Sequence, residues 1–196
     1  MIYINLVYED ELSKSIMERI LMHFDDKYYV NESYLGHGFG YLKSNIKGFN
    51  QASKHTPFFM LTDLDNYECP PALMAEWINF PVNECFIFRI AVREVESWLL
   101  ADREGLSEFF NVSLANFPLN PEDEVDPKQT LINLARRSRI RKIREDIVPV
   151  NGYALIGPNY NGCLMDFVYN KWNLENAISN SESLERAVLF LDQFNC

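Results

Sequence analysis

A chain of 196 residues suits one medium domain, and its 47% hydrophobic and 23% charged residues exclude disorder, collagen and coiled coil. A net charge of −10 argues against coating nucleic acid over the whole surface, and leaves room for one local binding patch. No apolar run reaches the roughly 18 residues a membrane helix needs, so no membrane partner is expected.

The chain opens on Met1-Ile2-Tyr3-Ile4-Asn5-Leu6-Val7, which reads as a first strand and carries no basic leader. Leu12, Ile16, Ile20 and Leu21 then recur at helical spacing between Asp10 and about His23. Tyr28–Tyr34 suggests a second strand, Gly36–Gly40 a flexible loop and Leu42–Ala52 a helix. Pro57–Thr62 is a continuous apolar run of the kind found in strands buried on both faces of a parallel sheet. Pro70 and Pro71 suit the first turn of a helix running through Trp77. Residues 85–91 form another buried strand, leading into Arg93–Leu100.

The alternation of strands and helices argues for an α/β fold with a mostly parallel sheet flanked by helices. The second half changes character. An acidic loop, Pro118–Pro127, precedes helices expected at Lys128–Arg137, Tyr160–Tyr169 and Leu184–Phe194. The last carries Leu184, Ala187, Val188 and Leu191 on one stripe. The expected organisation is a single domain, with an α/β core over residues 1–115 and a mainly helical extension over 116–196.

Three acids fall where strands are expected to end. Glu9 follows the first strand, and Asp63 and Asp65 close the buried apolar run as Asp-x-Asp. Carboxyl ends of strands line the functional crevice of an open parallel sheet. Carboxylates converging there repel one another unless a cation neutralises them, and oxygen ligands of this kind suit Mg²⁺ or Mn²⁺. The plainer reading is a loop whose acids face water.

A glutamate after the first strand, followed by Asp-x-Asp closing a later strand, resembles the TOPRIM superfamily. The stretch Arg93-Glu94-Val95-Glu96-Ser97-Trp98-Leu99-Leu100 resembles the Glu-x-Trp segment of small bacterial TOPRIM-like proteins. Gly157–Asn161 and the region from Trp172 to Ala187 are similar to the same group, so the likeness covers most of the chain. The resemblance implies a TOPRIM-like fold and a metal-dependent nuclease, with a role in anti-phage defence. Under it Glu9, Asp63, Asp65 and Glu96 are the catalytic acids. The metal ligands are drawn from Glu9, Asp63, Asp65, Glu94 and Glu96, with Glu96 helping a second ion as in OLD-type nucleases. The usual TOPRIM turn contains glycine, whereas Asp10 and Glu11 follow Glu9 here, which leaves Glu9 and Glu11 open as the ligand. A binding or regulatory subunit activated by a partner ATPase is the alternative. A homo-oligomer is also compatible with the resemblance.

Arg136, Arg137, Arg139, Arg141, Lys142 and Arg144 put six cations into nine residues with no acid among them. The rest of the chain then holds 12 basic and 28 acidic residues. That segregation is the footprint of a phosphate-binding strip, and under the resemblance its partner is nucleic acid, DNA before RNA. The competing reading pairs the strip with Glu122, Asp123, Glu124 and Asp126. Lys128 is placed to reach the same crevice. Gly36-x-Gly38-x-Gly40 lacks the spacing of a nucleotide fingerprint and reads as a turn. His23, His37 and His55 read as ordinary residues, and Trp77, Trp98 and Trp172 as core anchors. Cys69, Cys85, Cys163 and Cys196 are scattered, so reduced thiols in a cytoplasmic protein are expected.

Overall fold

The computed structural model describes residues 1–36 and 38–196; His37 lies outside the described residues. The chain clusters into two units, one of Met1–Val92 with Arg186–Cys196 and the other of Arg93–Glu185. The α/β part therefore ends at Val92 rather than near residue 115, and the last eleven residues return to it.

In the first unit, β1 (Ile2–Tyr8) is buried from Ile4 to Tyr8. Asp10 caps α1 (Glu11–Met22) by accepting from the Ser13 amide at 2.8 Å. Helix α1 buries Leu12, Ile16 and Ile20, the stripe of every fourth residue visible in the sequence. The chain continues through β2 (Tyr28–Leu35), α2 (Phe39–Ala52), β3 (Phe58–Asp63), α3 (Pro70–Trp77) and β4 (Phe86–Ala91). All strand pairs are parallel and the order is β2-β1-β3-β4. The chain thus moves outward from β1 to β2 and returns past β1 to β3. Strands β1 and β3 lie side by side, with Leu6 opposite Phe59 and Val7 opposite Met60.

Alternate strand residues Val7, Phe58, Met60, Phe86, Phe88 and Ile90 form one core layer with Leu42, Ile46, Leu73 and Trp77 from the two helices above. Burying each such side chain contributes about 1.5–3 kcal/mol. Backbone geometry explains the glycine motif. Gly38 caps α2 at φ 101°, and a Cβ on Gly36 would meet Leu42 at 2.6 Å. Phe39 and Gly40 already belong to α2, so the helix begins before the expected Leu42 and the loop expected over Gly36–Gly40 does not extend to its last two residues.

The second unit contains α4 (Glu96–Ala101), α5 (Arg103–Phe110), α6 (Pro127–Arg136), α7 (Arg141–Ile147), α8 (Tyr160–Asn170) and α9 (Leu174–Ile178). Helix α10 (Glu182–Gln193) begins in this unit, and its portion from Arg186 belongs to the first. Several of the unit's acids hold backbone ends. Asp126 accepts from the Gln129 amide and Glu124 from the Thr130 hydroxyl. Glu122 accepts from the Ser181 hydroxyl and from the Ser183 amide and hydroxyl at the start of α10. Among the described residues no ion pair joins this loop to the arginine strip, so the pairing reading does not hold.

Within the first unit, Cys85 and Cys196 form a disulfide with Cα atoms 5.7 Å apart. This corrects the expectation of four free thiols; Cys69 and Cys163 remain free. The partners are separated by 111 residues in sequence and meet because the C-terminal segment returns to the sheet. Lys27 and Tyr28 fasten the same segment by donating to the Leu191 carbonyl at 2.8 and 2.5 Å. No helix among the described residues is long and apolar enough to cross a membrane.

Asp102 is fully buried and accepts from the amides of Gly105 at 3.1 Å and Asn173 at 2.7 Å. Burial raises its proton affinity, and these amides oppose that shift. Asp102→Ala orphans both donors. It is expected to destabilise the second unit by about 2–4 kcal/mol. The check is a urea titration, in which an unchanged midpoint would show that the buried carboxylate does not hold α5 and α9.

Candidate functional site

The order β2-β1-β3-β4 reverses direction between β1 and β3, and ligands of open α/β sheets bind outside the carboxyl ends at such a point. Glu9 follows β1 and Asp63 ends β3. One oxygen of Glu9, Oε1, accepts from the Thr62 hydroxyl at 2.5 Å and from the Asp63 amide at 3.2 Å. The carboxylate therefore crosses from one strand end to the other. Glu11 stands exposed on the first turn of α1, and Asp10 is taken up as its cap. Of the acids after β1, Glu9 is the one directed onto β3.

Burial is the main cause that raises the proton affinity of Glu9. The bonds from Thr62 and Asp63 lower it, and the nearby charges of Asp65 and Asp10 raise it again. Asp63 is half-buried, whereas Asp65 is exposed and holds a left-handed φ of 49°. Such a conformation costs a non-glycine residue about 1–3 kcal/mol and gathers at functional sites. Asp65 lines a cleft of about 400 Å³ with Phe39, Asn66 and Tyr67. Phe39 and Tyr67 place ring centroids 6.0 Å apart beside it.

The expected metal set fits only in part. Among the described residues no three carboxylate, imidazole or thiol groups form a cage for a metal ion. Mg²⁺ does not demand such a cage, because one or two carboxylates with waters and substrate oxygens suffice. Glu9, raised in proton affinity by burial and by neighbouring acids, has the donor chemistry for that open kind of site.

Glu94 and Glu96 are engaged within the second unit. Glu94 accepts from the Lys128 amide at 2.9 Å and from its ammonium at 3.2 Å. Glu96 is 2% exposed, accepts from the Tyr160 hydroxyl at 3.0 Å and lies 3.5 Å from the same ammonium. Lys128 pairs with both carboxylates, which corrects the picture of a cation reserved for phosphate. Only a long-range contact reveals this, since 34 residues separate Lys128 from Glu94.

The basic strip runs from the end of α6 through a short turn into α7. Arg136, Arg137, Arg139, Arg141 and Lys142 are exposed, and Arg144 is half-buried. Arg136 and Arg137 donate to the side-chain oxygens of Asn133 and Asn116, and Arg144 to the Ser138 carbonyl. Arg141 pairs with Glu145 one turn on, the one ion pair of the strip among the described residues. Most of the strip therefore retains uncompensated positive charge.

Sequence reasoning missed Thr62 as the hydroxyl that orients Glu9, although it stands directly before Asp63. It also assigned no partner to Tyr160, the first residue of α8, whose hydroxyl reaches Glu96 across 64 residues of sequence. Comparison with protein-family models, curated proteins and solved structures finds no match to the chain.

The raised proton affinity of Glu9 fixes the sign of a pH effect. Its contribution to stability is fullest below its unfolded value of about 4.3, and is lost as pH rises through the higher folded value. Glu9→Gln should therefore gain stability relative to the wild type as pH rises from about 4 to 7. Denaturant titrations across that range check it, and a relative gain by the wild type would contradict the assigned burial.

Proposed function

We propose that the chain is a TOPRIM-like, divalent-metal-dependent hydrolase of phosphodiester bonds in nucleic acid. The observation that carries this reading is the Glu9 carboxylate, bonded across the β1/β3 switch point to Thr62 and the amide of Asp63. Strand order, placement of acids and the partial burial of Glu9 all support it. A fold alone does not fix chemistry, so the reading rests on these residues and their electrostatics.

Glu9, Asp63 and Asp65 would hold Mg²⁺ or Mn²⁺. When bound, such an ion supplies Lewis-acid activation and charge neutralisation at the phosphoryl group. The chain's own residues perform the remaining tasks. Thr62 fixes the orientation of Glu9, and the like charges of Asp65 and Asp10 favour either a proton or a cation on it. Phe39 and Tyr67 offer an aromatic wall beside Asp65 on which a base can rest. The exposed cations of α6, α7 and the intervening turn attract the sugar-phosphate backbone. Glu94 and Glu96, with Lys128 between them, serve as an internal ion cluster and are not needed as ligands in this reading.

Incubation with DNA and RNA substrates in Mg²⁺ or Mn²⁺ is expected to yield cleavage that Asp63→Ala and Glu9→Ala each lower by at least about 100-fold. Mn²⁺ should raise the melting midpoint of the wild type more than that of Asp63→Ala. Absence of cleavage with retained Mn²⁺ binding overturns the autonomous enzyme in favour of a partner-activated subunit. Absence of both returns the acids to a solvated loop.

A further inference from the structure

A cleft of about 680 Å³ opens in the second unit between α5, the short turn Leu114–Asn116 and the turn joining α6 to α7. Its volume lies in the range that accommodates a small organic ligand. The turn joining α6 and α7 is anchored firmly. Ser138 is 3% exposed and its hydroxyl donates to the Phe110 carbonyl at 2.5 Å, while accepting from the Ile140 amide at 3.0 Å. With Ser138 turned inward, its neighbours Arg137 and Arg139 line the cleft. Asn116 orients Arg137 by accepting from its guanidinium at 2.5 Å, and is itself held by donating to the Ser113 carbonyl at 3.2 Å. These bonds restrict the turn and one guanidinium before any ligand arrives, which lowers the ordering cost of binding.

Glu108 on α5 and Asn111 at the end of that helix also line the cleft. Among the described residues neither arginine is ion-paired with Glu108. A carboxylate in the same cleft disfavours a bare anion by like-charge repulsion. It favours a ligand that brings a hydrogen-bond donor along with its negative charge. Guanidinium forks match phosphate oxygens, and a carboxylate accepts from the exocyclic amino group of a base such as cytosine.

We propose that this cleft binds one nucleotide unit, its phosphate on Arg137 and Arg139 and an amino-bearing base against Glu108. The inference shares with the proposed function the phosphate chemistry of the basic strip, but assigns part of that strip to a defined single-nucleotide subsite. It needs neither the metal nor turnover. The nucleotide unit could be a free nucleoside 5′-monophosphate or part of a single strand, and the two sources differ in the affinity of the longer ligand.

Calorimetric titration of the full chain in EDTA tests it, with CMP, UMP, inorganic phosphate and a short single-stranded oligocytidylate as probes. CMP is expected to bind measurably more tightly than UMP or phosphate. Arg137→Ala and Arg139→Ala should each weaken CMP binding by about tenfold or more, with melting midpoints unchanged. Lys171→Ala, which removes an exposed cation away from the cleft, should leave CMP binding as it was. Glu108→Ala should abolish the preference for CMP over UMP. Tighter arginine-dependent binding of the oligonucleotide identifies a strand as the source, and equal affinity identifies the free nucleotide. No CMP binding, phosphate or UMP binding as tightly as CMP, or indifference to both arginine variants overturns the proposal. Because the assay excludes metal-dependent cleavage, failure of the nuclease reading leaves this result intact, and the reverse also holds.

Discussion

In the first unit a partly buried carboxylate stands where the strand order reverses, between β1 and β3. A partly buried acid at a strand end is costly unless hydrogen bonds or a cation satisfy it. Glu9 receives a hydroxyl and an amide from β3, and those bonds do not fully offset its burial, since its proton affinity remains raised. No basic side chain is among the causes that set this affinity. The same electrostatic situation that favours a proton also favours a metal cation. The geometry is set by the β1/β3 register, which carries Leu6 and Val7 alongside Phe59 and Met60 and so brings the following residues of both strands together.

The acids of the second unit play a different part. Asp102 accepts from two backbone amides, Glu122 secures the start of α10, Asp126 caps α6, and Glu94 with Glu96 pairs with the Lys128 ammonium. Much of this acidity is thus committed to backbone ends and internal charge. That commitment explains how a strip of cations can persist on a protein of net charge −10. Within the strip, Arg141 with Glu145 is the one ion pair among the described residues.

The features legible in the sequence are those whose cause is local. The apolar run ending at Asp63 is β3, the proline pair opens α3, and the stripe through Leu184 and Leu191 is the buried side of α10. The position of Glu9 after β1 was legible for the same reason. Features created by distant contacts were not. Nothing near Cys85 signals Cys196, and nothing near Lys128 signals the carboxylates of Glu94 and Glu96. Helix α5 depends on Asp102 for its cap and on Leu106 and Phe110 for its burial, too few apolar positions to declare a period. The unit boundary at Val92 escaped detection because no proline, glycine or charge run marks it.

These differences bear on how the acids should be ranked as sites. A carboxylate already paired with an ammonium gains less from a metal than one with no cationic partner, and Glu9 has no basic side chain among the causes that set its proton affinity. Glu96 is buried while Lys128 is half-buried, so removing Lys128 leaves a buried carboxylate without its cation and would disturb packing and chemistry together. The Glu9 cluster separates the two more cleanly. Asp63 and Asp65 are half-buried and exposed respectively, and neither belongs to the apolar layer formed by Phe58, Met60 and Leu64. Loss of function there with the fold retained is therefore interpretable as chemistry, which makes the switch point the informative place to probe this protein.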